Sequence, residues 1–65
     1  MGRIRILSDR DGVYEVGSII NVGSLIVDYC NCTNDKDLIN WLYNIPIPSA
    51  VAFITKAWEI DYEYV

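Results

Sequence analysis

Ala50-Val51-Ala52-Phe53-Ile54-Thr55-Lys56-Ala57-Trp58 is the stretch on which the fold turns. Ala50, Phe53, Ile54, Ala57 and Trp58 fit one stripe of a helix, whereas Val51, Phe53 and Ile54 are residues that strands favour. The stretch runs into Trp58-Glu59-Ile60-Asp61-Tyr62-Glu63-Tyr64, where charged and apolar residues alternate as on a half-buried strand. We read a strand from Ala50 to Ile54, one tight turn at Thr55-Lys56-Ala57 and a last strand from Trp58 onward. The helical stripe stands as the alternative.

The other end of the chain mirrors this one. Arg3 and Arg5 alternate with Ile4 and Ile6, so a first strand over 3–7 carries cations on one face and apolar side chains on the other. Laid beside the last strand, its arginines meet Glu59, Asp61 and Glu63 across the ladder while the apolar faces close one core. Between the ends, Ser8 to Gly12 is punctuated as a turn, and Val13, Tyr14 and Val16 resume an extended segment. Ile19, Ile20 and Val22 read as a second strand and Leu25 to Cys30 as a third.

Only one segment reads as a helix outright. Asn34 is the expected N-cap, Asp35 and Asp37 suit a first turn, and Leu38, Trp41 and Leu42 recur at helical spacing. Asn44 as C-cap and Pro46 beyond it close a short helix over 35–43. Ile45-Pro46-Ile47-Pro48 follows as a stiff, extended connector.

Composition bounds the function. Sixty-five residues, 52% of them apolar, with two Trp, five Tyr and one Phe, predict a single domain whose core closes without metal or disulfide. Mean hydropathy of +0.19 leaves apolar surface for a partner or a second copy. Nine acids against five scattered bases give a net charge of −4, which disfavours nucleic-acid binding and favours a basic partner. No apolar run reaches the ~20 residues needed to span a bilayer, and no signal-peptide pattern opens the chain, so the expected location is cytoplasmic.

Chemistry finds little purchase. The chain has no histidine, and Ser8, Ser18, Ser24 and Ser49 have no evident activating partner, so no enzyme and no cofactor is expected. Cys30 and Cys32 read as packed free thiols, too close in sequence for an unstrained bridge, and a Cys-x-Cys metal site lacks further ligands. Asp9-Arg10-Asp11-Gly12 resembles a calcium loop only at its start, since Tyr14 and Ile20 stand where that loop needs Gly and Glu. These aspartates read first as turn residues.

Gly12-Val13-Tyr14-Glu15-Val16-Gly17-Ser18-Ile19-Ile20-Asn21-Val22 resembles the segment of Src-homology-three barrels in which a long loop returns through a glycine into a strand. Ser18 stands where that family carries an acid. Phe53-Ile54-Thr55-Lys56-Ala57-Trp58 resembles the family's closing helical turn, with Thr55 at its proline and Trp58 at its tyrosine. Of the family's ligand-stacking aromatics, Tyr14 and Trp58 alone have counterparts. The resemblance implies a mainly β fold, a five-stranded, partly open barrel over residues 1–65, with the helix inserted between the third and fourth strands. In size and in its Gly12 to Gly17 stretch the chain is also similar to short bacteriophage and prophage proteins, which implies the host cytoplasm.

The candidate site is an interaction surface. Alternate strand residues are about 6.8 Å apart, so Glu59, Asp61 and Glu63, joined by Asp9 or Asp11 from the loop, form an acidic row suited to a basic groove. The same row also reads as a solvating face that offsets Arg3 and Arg5. Tyr43 and Tyr64 are the aromatics expected at the surface, where they would anchor a contact. The expected function is a non-enzymatic interaction module, an inhibitor or adaptor of a basic host protein; the alternative is a self-associating structural subunit.

Overall fold

The alternation at the two ends becomes sheet. In the computed structural model, which describes residues 2–65, Arg3–Asp9 (β1) pairs antiparallel with Ile60–Tyr64 (β3). Ile19–Asn21 (β2) pairs antiparallel along the other side of β1, giving an open three-stranded sheet of order β2-β1-β3. Ile4 stands opposite Ile20 on one side and Tyr64 on the other; Arg5 stands opposite Glu63. A bulge interrupts β1 between Ile6 and Ser8, so Leu7 has no partner on β3 and is exposed.

Val22–Asn31 (α1), Lys36–Asn44 (α2) and Ile47–Ala57 (α3) supply the rest of the core. Ile4, Ile6 and Ile60 from the sheet pack with Leu25 and Ile26 of α1, Leu42 of α2, and Val51 and Ile54 of α3. The opposite sheet face carries Arg3, Arg5, Ile19, Asp61 and Glu63, none of them buried. The protein is thus a small α+β layer pair with one sheet face uncovered.

The expected five-stranded, Src-homology-three-like barrel with one helix is therefore wrong. Two segments read as strands are helices. Along 22–31, Val22, Leu25, Ile26 and Cys30 are buried, a spacing that only a helix brings to one side. Asn21 caps it, its side chain accepting the Gly23 N–H at 3.0 Å. The β-branched content of this run favours strand locally, but one-sided burial against α3 and the sheet outweighs that preference.

The deciding stretch likewise resolves to helix. Ala50, Val51, Ile54 and Thr55 are buried on one side of α3. Pro48 sits in the first turn, where its missing N–H leaves no intrahelical bond unmade. The expected Ile45–Pro48 connector is extended only through Pro46, since the helix begins at Ile47. Buried Thr55 is satisfied within the helix, its hydroxyl donating to the Val51 carbonyl at 2.8 Å. The last strand starts at Ile60 instead of Trp58, because Trp58 caps α3 and Glu59 turns the chain with φ +56°.

The remaining helix lies one residue further along than 35–43. Asp35, not Asn34, is its N-cap, accepting the Leu38 N–H at 3.1 Å. Asn44 is the last helical residue, and Ile45 leaves extended ahead of Pro46. Cys30 is buried on α1 and Cys32 is exposed at its C-terminus; both are free thiols.

Candidate functional site

Strand β3 places the carboxylates. Period-two geometry sets Asp61 and Glu63 on the uncovered face, both exposed. Glu63 meets Arg5 at 2.6 Å across the ladder, with the two side chains 48% and 44% exposed. Asp61 accepts the Ser8 hydroxyl at 3.1 Å. Glu59 lies before the strand and pairs with Arg10, whose Nη1 is 3.0 Å from each carboxylate oxygen. Each member of the expected acidic row thus already faces a partner on β1 or just beyond it. Of the two arginines expected to offset the row, Arg5 does so, Arg3 stands opposite Asn21 on β2, and Arg10 takes the other place.

The loop aspartates do not join this row. Asp9 organises its own turn, its carboxylate accepting the N–H groups of Asp11 and Gly12 at 3.2 Å and of Tyr14 at 2.7 Å. Asp11 is exposed at the tip of that turn. Tyr43 is 58% exposed on α2, beside Cys30, and belongs to the helical layer. Tyr64 is 51% exposed at the end of β3, on the same strand as Asp61 and Glu63. The structure therefore brings together Asp61 and Glu63 on the uncovered face, with Glu59 adjacent, while Tyr64 of the same strand turns to the other face opposite Ile4.

The backbone of β3 matters as much as its side chains. Val65 N–H donates to the Arg3 carbonyl at 3.2 Å. With Arg5 opposite Glu63, the alternation of an antiparallel ladder makes Arg5 and Glu63 the next hydrogen-bonded pair. The N–H and C=O groups of Tyr62 and Tyr64 consequently point away from β1. Among the described residues no strand pairs with that edge. A cavity of about 310 Å³ opens between the N-termini of α1 and α3 at the end of the sheet, walled by Asn21 of β2, Val22, Gly23, Ile47, Pro48 and Tyr64. No charged side chain lines it.

Two features escaped the sequence reading. Tyr14, Trp58, Tyr29, Phe53 and Trp41 form a chain of neighbouring rings, with successive centroids 6.1, 5.2, 6.0 and 5.2 Å apart. The helical spacing of Tyr29 from Ile26 and of Trp41 from Leu38 was the available signal. Tyr14 hydroxyl also donates to Asp28 at 2.7 Å, tying the 10–18 loop to α1. Burial, and then the Asp28 carboxylate, push this phenol's pKa well above its ordinary value. Nothing in the sequence links these two residues.

Among the described residues, no group of three or more Cys, Asp or Glu side chains is placed to hold a metal ion. Among the same residues, no helix is long and apolar enough to cross a membrane. Comparison with family models, curated proteins and solved structures finds no match to this chain.

Proposed function

We propose that this chain is a non-catalytic interaction module that binds a basic segment of another protein through strand β3. The observation that supports the reading is the position of Asp61 and Glu63, exposed on the uncovered face of an edge strand. Around them the chain has a net charge of −4, which draws a cationic partner and holds off nucleic acid. Arg5 and Ser8 already contact these carboxylates from one side, but a carboxylate has acceptor sites for more than one donor. An inhibitor or an adaptor of a basic protein in the host cytoplasm is the biological form of this reading.

The test compares the immobilised chain with its Asp61→Lys/Glu63→Lys variant in retaining proteins from a bacterial lysate. Matching circular dichroism spectra establish that both are folded. Basic proteins held by the parent and lost by the variant are the expected result. Retention of the same proteins by both, or of none by the parent, overturns the proposal.

A further inference from the structure

Resting on that reading, we infer that β3 takes its partner by strand addition: an extended segment in which Arg or Lys alternates with apolar residues becomes the fourth strand of the sheet. Three independent observations converge on it. Tyr62 and Tyr64 direct their backbone donors and acceptors to the open edge, so an added strand gains main-chain hydrogen bonds there. On the uncovered face, Asp61 and Glu63 alternate with these residues and call for cations at every second position of the incoming strand. On the covered face, Tyr62 and Tyr64 stand opposite buried Ile6 and Ile4, so the residues between the cations of an added strand fall on the core side and are apolar.

The fold already contains one instance of this recognition. Strand β1 carries Arg3-Ile4-Arg5-Ile6 along the other side of β3. Its Arg5 meets Glu63 on the uncovered face, while Ile4 and Ile6, opposite Tyr64 and Tyr62, enter the core. The occupant of the free edge matches β1 in pattern.

A second copy of this chain does not fit. Antiparallel pairing of β3 with itself centred on Asp61, Tyr62 or Glu63, the registers that overlap most of the strand with faces aligned, sets Asp61 or Glu63 against an acid of the copy. Like charges directly opposite destabilise a ladder. The same pair of carboxylates that selects a basic strand thus keeps two edges apart.

The probe is a capped peptide in which Arg alternates with Ile, patterned on Arg3–Leu7. Two companions accompany it: one with Glu replacing every Arg, and one N-methylated at the backbone positions that would face β3. Binding to the full chain is followed through its amide resonances. We expect the Arg peptide to shift the Tyr62 and Tyr64 amides and the Glu peptide to leave them in place. N-methylation removes one or two main-chain hydrogen bonds and should weaken binding about tenfold. Equal binding of the N-methylated peptide overturns strand addition while leaving the charge-based reading standing. Failure of the Arg peptide to bind overturns strand addition too, and the variant comparison above then decides the broader reading separately. A dimer in light scattering whose Tyr62 and Tyr64 amides resist hydrogen exchange assigns the edge to a second copy and overturns the inference.

Discussion

The Arg5 guanidinium and the Glu63 carboxylate meet at 2.6 Å across 58 positions of sequence, so one ion pair ties the first strand of the chain to its last. Both side chains are about half exposed, so water and salt screen them. The pair is therefore worth about 0.2–1 kcal/mol. Arg5→Glu and Glu63→Arg should each lower the urea midpoint, since each sets like charges directly opposite. The double swap should restore most of the loss. A double-mutant cycle from equilibrium unfolding measures this coupling, and a cycle that closes at zero would show that the contact contributes nothing.

Helix α3 makes its own prediction at Ala52, which is exposed on the helix. Glycine there loses more backbone freedom on folding and should cost about 0.5–1 kcal/mol. Ala52→Val should cost less than Ala52→Gly and still less favour the parent if the segment were a strand, where valine would stabilise. Unfolding midpoints of the two variants thus separate helix from strand at the residues that decide the fold.

The period of two at the chain ends was legible because each strand buries only one side, leaving Arg5 and Glu63 out and Ile6 and Ile60 in. The middle was not, for a definite reason. Val22, Ile26 and Val27 are residues that strands favour, and the continuous apolar run of 25–27 hides the helical spacing of Val22, Leu25 and Ile26 until α3 exists to receive it. Asn21 as a cap was the one local cue. In the candidate site, Asp61 and Glu63 followed from alternation alone. The place of Glu59 did not, because a glutamate in the left-handed region makes the strand start at Ile60, two residues later than the side-chain pattern that begins at Trp58. The turn-forming part of Asp9 was readable from Asp-Gly punctuation, but its bond to Tyr14 depends on how the whole loop closes.

Asp9 holds that loop through three main-chain donors, those of Asp11, Gly12 and Tyr14. Bonds to a charged acceptor are individually stronger than neutral ones, while the outer two remain open to water. Asp9→Ala should cost about 2 kcal/mol, and Asp9→Asn less, because the amide oxygen keeps one acceptor. Faster amide exchange confined to residues 11–14 would identify the loop as the part released. Unchanged exchange there would show that the loop is held by other contacts.

Tyr14 makes stability depend on alkaline pH. Its phenol titrates near 10.0 in the unfolded chain and above that value in the folded one, where burial and Asp28 both favour the neutral form. Below the unfolded value the phenol is neutral in both states, and its contribution is fully present. As pH rises past that value the unfolded chain ionises first, and the contribution is lost on the way to the folded value. Tyr14→Phe should cost about 1 kcal/mol at neutral pH through the lost bond to Asp28. It should also flatten the fall in stability above pH 10.0 relative to the parent. Denaturant midpoints taken across that range test both, and parallel curves for the two proteins would refute the assignment.

Glu59 occupies a backbone position that suits glycine, with φ +56° between the end of α3 and the start of β3. A side chain in that region costs on the order of 1 kcal/mol. Its carboxylate recovers part of this through Arg10, but the pair is mostly exposed and so worth no more than about 1 kcal/mol. Glu59→Gly relieves the backbone, loses the pair and gives the unfolded chain more freedom, so the three effects nearly cancel. Glu59→Asn tolerates the left-handed region without the extra unfolded-state freedom and should be the more stable of the two. The comparison turns on Arg10. In an Arg10→Ala background the ion pair is already gone, so Glu59→Asn should raise the melting temperature there by more than it does in the parent. An equal rise in both backgrounds would mean that the Arg10 contact contributes nothing to keeping glutamate at this position.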